Sequence, residues 1–229
     1  MSKNILITGC SSGLGLALTN YYLEQDYKVF GISRKNPNIK NSNFYFKEFD
    51  LSKLKEIKTS LTSFITQIEN IEIVYLNAGT LGEIKEMTKL SYEEIKEVLD
   101  LNVFANKELL DILTTINVNN IIGISSGASK NGSKGWGAYS LSKSSLNMLI
   151  NLYSKEMPNT KLLAVAPGVI ETPMTDYIRF EVDDTIYTSA KILKSGDIQK
   201  PDIAAKRLNE VIKKIDNFES GSFIDVRDI

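Results

Sequence analysis

The sequence predicts a single α/β domain over residues 1–229, a doubly wound, seven-stranded parallel sheet with helices on both faces. Three observations lead to it. Short runs rich in Ile, Val, Leu and aromatic residues alternate, several times over, with stretches whose apolar residues recur at helical spacing. The run at 71–77 has a continuous apolar centre, as strands covered on both faces do. No repeat, low-complexity tract or linker rich in Pro, Gly or Ser divides the chain, and 229 residues suit one large core at least as well as two small ones.

The first strand is NILIT, residues 4–8. Leu14, Ala17, Leu18 and Tyr21 follow it at i, i+3, i+4 and i+7, the apolar stripe of a helix. Residues 27–33 (YKVFGIS) and 44–49 (FYFKEF) read as the second and third strands, and Asp50 and Ser52 open a helix running to about Gln67. Residues 71–77 (IEIVYLN) make the fourth strand. A long helical pattern starts at Ser91, which with Glu94 has the spacing of a capping box, each side chain within reach of the other's backbone N–H. Residues 119–126 (NNIIGISS) are the fifth strand, and Leu146, Leu149, Ile150 and Tyr153 mark a helix over 138–156. Residues 160–167 (TKLLAVAP) form the sixth strand. The stretch 170–200 has no clean periodicity and reads as a lid within the domain. Residues 201–214 open with a proline at the first helical position, and 220–226 (SGSFIDV) supply the seventh strand.

Hydrophobic residues at 42% and charged residues at 24% are ordinary for a globular chain, which sets aside disordered and fibrous classes. A net charge of −1 gives no general pull toward nucleic acid or anionic membrane. No segment approaches the roughly 18 uninterrupted apolar residues of a membrane span, and the first apolar run is too short for a secretory signal. A cytoplasmic protein without nucleic-acid or membrane partners is expected. Cys10 is the only cysteine and histidine is absent, so neither an intrachain disulfide, nor a zinc or haem site, nor a histidine base is expected.

Chemistry then concentrates at the strand ends, since ligands of open α/β sheets bind outside their carboxyl edge. After the first strand stands TGCSSGLG, with Gly9, Gly13 and Gly15 leading into the first helix. Glycines let a backbone turn tightly and approach a pyrophosphate, and the helix N-terminus offers free N–H groups and a positive dipole end. Further on, Tyr139 stands four residues before Lys143, on one helix face. A free phenol ionises near pH 10, too high for efficient proton exchange at neutral pH. An ammonium about 4 Å away would favour the phenolate by on the order of 4 kcal/mol, bringing the phenol toward working pH.

Taken together, the turn G-x-x-x-G-x-G, NAG at 77–79, Asn102, ISS at 124–126, Y-x-x-x-K at 139–143 and PGVIET at 167–172 resemble the short-chain dehydrogenase/reductase family over essentially the whole chain. The resemblance implies a Rossmann fold and a nicotinamide dinucleotide held by Gly9, Ser11, Ser12, Gly13, Leu14 and Gly15. It also implies that Asp50 and Leu51 line the adenine, that Asn77, Ala78 and Gly79 flank the adenosine ribose, that the Pro167–Gly168 turn passes beneath the nicotinamide, that Ile170 contacts the carboxamide through its backbone, and that Thr172 hydrogen-bonds the carboxamide or a phosphate. Tyr139 would exchange a proton with the carbonyl oxygen as hydride is transferred, Ser126 would hydrogen-bond the same oxygen, and Lys143 would hold the nicotinamide ribose and depress the phenol's pKa. Asn102 would hold the helix and a water connecting Lys143 to solvent. Ser125 competes with Ser126, because strand alternation turns only one of them to the site; the spacing of thirteen residues to Tyr139 favours Ser126. At the end of the second strand, where a carboxylate would select a ribose 2′-hydroxyl, stand Ser33 and Arg34. A guanidinium pairs with phosphate and Ser33 can donate to it, so NADP(H) is expected over NAD(H).

The stretch SSGASKNGSKGWGAYSLSK and the terminal SGSFIDVRDI are similar to the benzil- and sepiapterin-reductase branch of that family. Trp136 is then either a stacking wall for a flat substrate or a structural indole, and Asp225 either a substrate anchor or an end-of-strand carboxylate. The activity implied is reduction of a small ketone or 1,2-dicarbonyl. Reduction of a 3-oxoacyl thioester and a non-catalytic, nucleotide-sensing role are the alternatives. The family resemblance, with apolar Leu141 and Met148 lying off the main stripe of the catalytic helix, further implies a homodimer or homotetramer.

Overall fold

The computed structural model describes residues 3–196 and 198–229, so Asp197 of the expected lid lies outside the described residues. Strand β1 (Asn4–Thr8) leads through the glycine turn into α1 (Gly13–Leu23), then β2 (Lys28–Ser33), β3 (Phe44–Glu48), α2 (Ile57–Thr66) and β4 (Ile71–Leu76). Next come α3 (Tyr92–Leu99), α4 (Ala105–Leu113), β5 (Val118–Ile124), α5 (Gly137–Glu156) and β6 (Lys161–Ala166). Helices α6 (Pro173–Phe180), α7 (Thr188–Ser195) and α8 (Pro201–Lys213) precede β7 (Phe223–Asp225). The sheet has seven parallel strands in the order β3-β2-β1-β4-β5-β6-β7. The chain therefore winds outward from β1 in one direction, returns, and winds outward from β4 in the other.

One core layer packs Leu61 and Ile65 of α2, Leu109 and Leu110 of α4, and Leu146 and Ile150 of α5 on one face of the sheet. On the opposite face Leu14, Leu18 and Tyr22 of α1 meet Ala204, Leu208 and Val211 of α8. Burying each of the larger aliphatic side chains contributes about 1.5–3 kcal/mol. Strands β1, β4 and β6 are buried nearly end to end, as is β5 from Ile121 onward, whereas edge strand β3 is half-exposed, as its position at the margin requires.

Several elements depart from their sequence-based bounds. The helix expected from Asp50 begins only at Ile57, because the Asp50 carboxylate accepts from both the N–H and the hydroxyl of Ser52 and closes a turn of its own. The capping box of Ser91 and Glu94 forms as expected, but the long helix it opens is interrupted at Asp100–Phe104 by a π-helical turn separating α3 from α4. The stretch 170–200 contains two short helices, α6 and α7, and the seventh strand contracts to three residues.

Between α1 and β4 the hydroxyls of Tyr22 and Tyr75 lie 2.7 Å apart, both buried in the core. Removing one leaves the other without its partner. Tyr22→Phe or Tyr75→Phe is expected to cost about 1–3 kcal/mol in urea unfolding. The double variant should lose less than the sum of the two, because it strands no hydroxyl.

Candidate active site

A cleft of about 400 Å³ opens at the carboxyl ends of β1 and β4, where the direction of winding reverses. Thr8 and Asn77 hold that point together. The Thr8 hydroxyl accepts the backbone N–H groups of Asn77 and Ala78 at 2.9 and 3.0 Å, and the Asn77 amide donates to the carbonyls of Thr8 and Gly9 at 2.9 and 3.3 Å. Of the residues expected to hold a dinucleotide, all line this cleft except Gly15.

Gly15 acts from behind. A Cβ there would stand 2.1 Å from the Gly9 carbonyl oxygen, so only glycine lets α1 start this close beneath the turn. Gly13 adopts φ +50°, and a Cβ on it would meet the Thr172 methyl at 2.9 Å, so the turn also closes against the start of α6. Ser12, at the N-cap of α1, makes no side-chain capping bond, and the first turn carries no acidic residue. The N–H groups of that turn are thus left to an anion, and the bare, narrow turn fits a pyrophosphate.

At the far end of the cleft Arg34 is exposed and forms no ion pair among the described residues. Ser33 is buried and its hydroxyl donates to the Lys35 carbonyl at 2.7 Å, so Arg34 rather than Ser33 is the uncommitted donor there. Burial alone would raise the carboxyl of Asp50, but the hydrogen bonds from Ser52, with Arg34 nearby, hold it below its ordinary value.

The other end is built on α5. Tyr139 and Lys143 are both buried on one face of that helix. Ser125 and Ser126 follow β5, and both line the cleft. Ser126 lies beside the Tyr139 phenol and accepts the Ala128 N–H, while the Ser125 hydroxyl donates to Asn147. Lys143 donates to the Ile124 carbonyl at 2.7 Å, its Nζ 5.6 Å from the centre of the Tyr139 ring. This geometry corrects the expected electrostatics. Burial raises the Tyr139 phenol above its ordinary value, with Ser126 pulling the other way, and burial pushes Lys143 down to about 8. The ammonium is held against a backbone carbonyl instead of the phenol oxygen, so desolvation dominates both groups. Asn102 lies in the π-helical turn, fully buried and outside the cleft wall. Its side chain accepts from Thr80 N–H and donates to the Thr80 carbonyl and the Ser142 hydroxyl, tying the loop after β4 to α5.

Above Tyr139, helices α6 and α7 form a small third core with Trp136, in which Ile178, Val182, Tyr187 and Ala190 are buried. Trp136 packs edge-on to Tyr139 with ring centres 6.0 Å apart, donates its indole N–H to Ser189 of α7 and also lines the cleft. It thus serves as structural indole and cleft wall together. Gly135, at φ +92°, lies so close to Tyr187 that a Cβ would come within 2.7 Å of its ring. Asp225 is not among the residues that line the cleft. Arg227 holds both its carboxylate oxygens, at 2.8 and 2.6 Å, and keeps it below the usual carboxylate range.

Residues 3–183 match the family described as short chain dehydrogenase. The chain belongs to that family. It is 30% identical to a benzil reductase ((S)-benzoin forming) of Bacillus cereus, covering 98% of this chain and 99% of the relative, and 27% identical to the corresponding enzyme of Bacillus subtilis, covering 97% and 98%. A short chain dehydrogenase/reductase structure from Saccharomyces cerevisiae superposes with a TM-score of 0.84 at 22% identity, over 98% of this chain and 96% of that one. The protein is therefore an oxidoreductase of a family that binds a nicotinamide cofactor and acts on small molecules. Among the described residues no helix is long and apolar enough to cross a membrane.

Sequence reasoning passed over Met174, Ile178 and Leu193, which line the cleft from α6 and α7. Thr172, Pro173 at the first helical position and the i, i+4 pair Met174 and Ile178 carry the signal for α6. Nothing local announces Ser189 or Leu193, which reach the site only because α7 folds back over it.

The depressed Lys143 yields a pH test. Its proton is held more weakly in the folded state than in the unfolded chain, so between about pH 8 and 10.5 the unfolded state binds more protons and stability rises with pH. Measured by urea unfolding at pH 7 and pH 10, the wild type is expected to gain stability relative to Lys143→Met on going to the higher pH.

Proposed function

We propose that this protein is an NADPH-dependent carbonyl reductase acting on a small ketone or 1,2-dicarbonyl, benzil-like or pterin-like in being flat and uncharged. The observation that carries the reading is the grouping of Ser126, Tyr139 and Lys143 beneath an apolar wall of Trp136, Met174, Ile178 and Leu193. The charged residues lining the cleft are Arg34, Asp50 and Lys143; none belongs to that wall, which suits a neutral carbonyl compound better than a thioester on an anionic carrier. The similarity to benzil reductases over nearly the full length supports the same class.

In this reading NADPH, when bound, supplies the hydride. Tyr139, kept protonated at neutral pH by its burial, gives its proton to the carbonyl oxygen. Ser126 donates a hydrogen bond to that oxygen and stabilises the charge that builds on it. Lys143 holds the nicotinamide ribose, and Asn102 keeps α5 in place. Arg34 pairs with the 2′-phosphate and so favours NADPH over NADH. Exposed Phe104, Leu141, Met148 and Leu152 on the helices before and around the catalytic residues support self-association as a homodimer or homotetramer.

The test is initial rates of NADPH and NADH oxidation with benzil, a phenyl-substituted 1,2-diketone, sepiapterin and an acetoacetyl thioester. Diketone or pterin turnover with NADPH is expected, falling about 10²–10⁴-fold in Tyr139→Phe. Turnover of the thioester alone would move the protein to that substrate class, and NADPH binding with no turnover would favour a nucleotide-sensing role. Arg34→Asp is expected to shift the NADPH-to-NADH ratio of kcat/KM toward NADH by about tenfold or more, because a carboxylate repels the 2′-phosphate.

A further inference from the structure

The active-site face of α5 continues one turn past Lys143. Tyr139, Lys143 and Asn147 stand at i, i+4 and i+8, and each engages the segment that leaves β5. Tyr139 meets Ser126, and Lys143 donates to the Ile124 carbonyl. Half-buried Asn147 makes two bonds: it accepts from the Ser125 hydroxyl at 2.5 Å and donates to the Ser129 hydroxyl at 2.8 Å. Ser144, on the same helix, adds a bond to the Ser129 carbonyl at 2.6 Å. Ser126 lies between the two residues that Asn147 grips. It is also the N-cap of the 3₁₀ turn Gly127–Ser129, its hydroxyl accepting the Ala128 N–H at 3.2 Å.

We infer that Asn147 is a positioning residue for catalysis: by clamping Ser125 and Ser129 it fixes the turn that aims the Ser126 hydroxyl at the carbonyl oxygen beside Tyr139. The bond to Ser125 does a second thing. It engages the neighbouring hydroxyl, which leaves Ser126 as the serine beside the Tyr139 phenol. A side chain that fixes a hydrogen-bond donor acts on the bond strengthened in the transition state, so its loss lowers kcat rather than cofactor affinity.

The inference rests on the roles given above to Ser126 and Tyr139, and its test separates the two. Asn147→Ala and Asn147→Asp are compared with wild type for ketone turnover, for NADPH affinity by fluorescence titration, and for hydrogen exchange in the peptide spanning residues 124–131. Asn147→Ala is expected to lower kcat about tenfold while KM for the ketone and Kd for NADPH stay within about threefold, with exchange accelerated in that peptide alone. Aspartate has the same shape, and its two oxygens accept from both serine hydroxyls, so Asn147→Asp should recover kcat to within about threefold of wild type and restore slow exchange.

A kcat for Asn147→Ala within about twofold of wild type overturns the inference, as does an aspartate variant as impaired as the alanine one, or a rise in exchange spread over the whole sheet. Should Asn147→Ala not fold, Ser129→Ala, which cuts only the loop-side bond, decides in its place: a fall in kcat with faster local exchange supports the inference, and an unchanged kcat overturns it. If wild type itself reduces none of the ketones, the proposed activity fails, and exchange alone decides whether Asn147 holds the turn.

Discussion

The site depends first on a few hydrogen bonds between Thr8 and Asn77. A doubly wound sheet sends its chain to opposite faces after β1 and β4, which leaves a gap between the two connections at the carboxyl ends of these paired neighbours. The Thr8 hydroxyl and the Asn77 amide join the two strand ends across that gap, using backbone groups that the sheet no longer pairs. The glycine turn hangs from one of these strands and the NAG segment from the other.

The second constraint is burial at the α5 end of the cleft. Tyr139 and Lys143 are both buried there, and desolvation is the first cause of the shift at each. A buried ammonium that still has a carbonyl partner, and a phenol that stays protonated, suit the proposed role of Tyr139 as proton donor. Nearby polar groups are absorbed in bonds that stiffen the surroundings: Asn102 to Thr80 and Ser142, Ser125 to Asn147. Stiffness at this end of the cleft thus comes in part from Asn102 and Asn147, which lie outside its lining.

Helices α6 and α7 bring Met174, Ile178 and Leu193 to the cleft and no charged residue. Both are short, and they persist because Tyr187, Ile178 and Ala190 bury themselves against Gly135, Trp136 and Tyr139. The Gly-Trp pair ahead of Tyr139 has a packing role: the glycine lets the Tyr187 ring come close, and the indole joins α7 to the start of α5 through Ser189. One tryptophan therefore lines the cleft and anchors the element beside it.

Much of this was legible in the chain itself. Strand and helix order follow from apolar periodicity, which responds to the two faces of the sheet, and the glycine turn, the Ser91 capping box and the Tyr139–Lys143 spacing are local patterns set by backbone geometry. Long-range placement was not legible. Nothing in the sequence says that Asp225 closes on Arg227 instead of facing the cleft, that Lys143 points its ammonium at the Ile124 carbonyl, or that the helix after Ser91 is interrupted by a π turn at Asn102. Periodicity and turn chemistry act over a few residues, so the sequence by itself determines the fold class and the residues available for chemistry. Desolvation and hydrogen-bond partnership depend on neighbours tens of residues away, so only the tertiary structure decides which of those residues share a site and in what charge state.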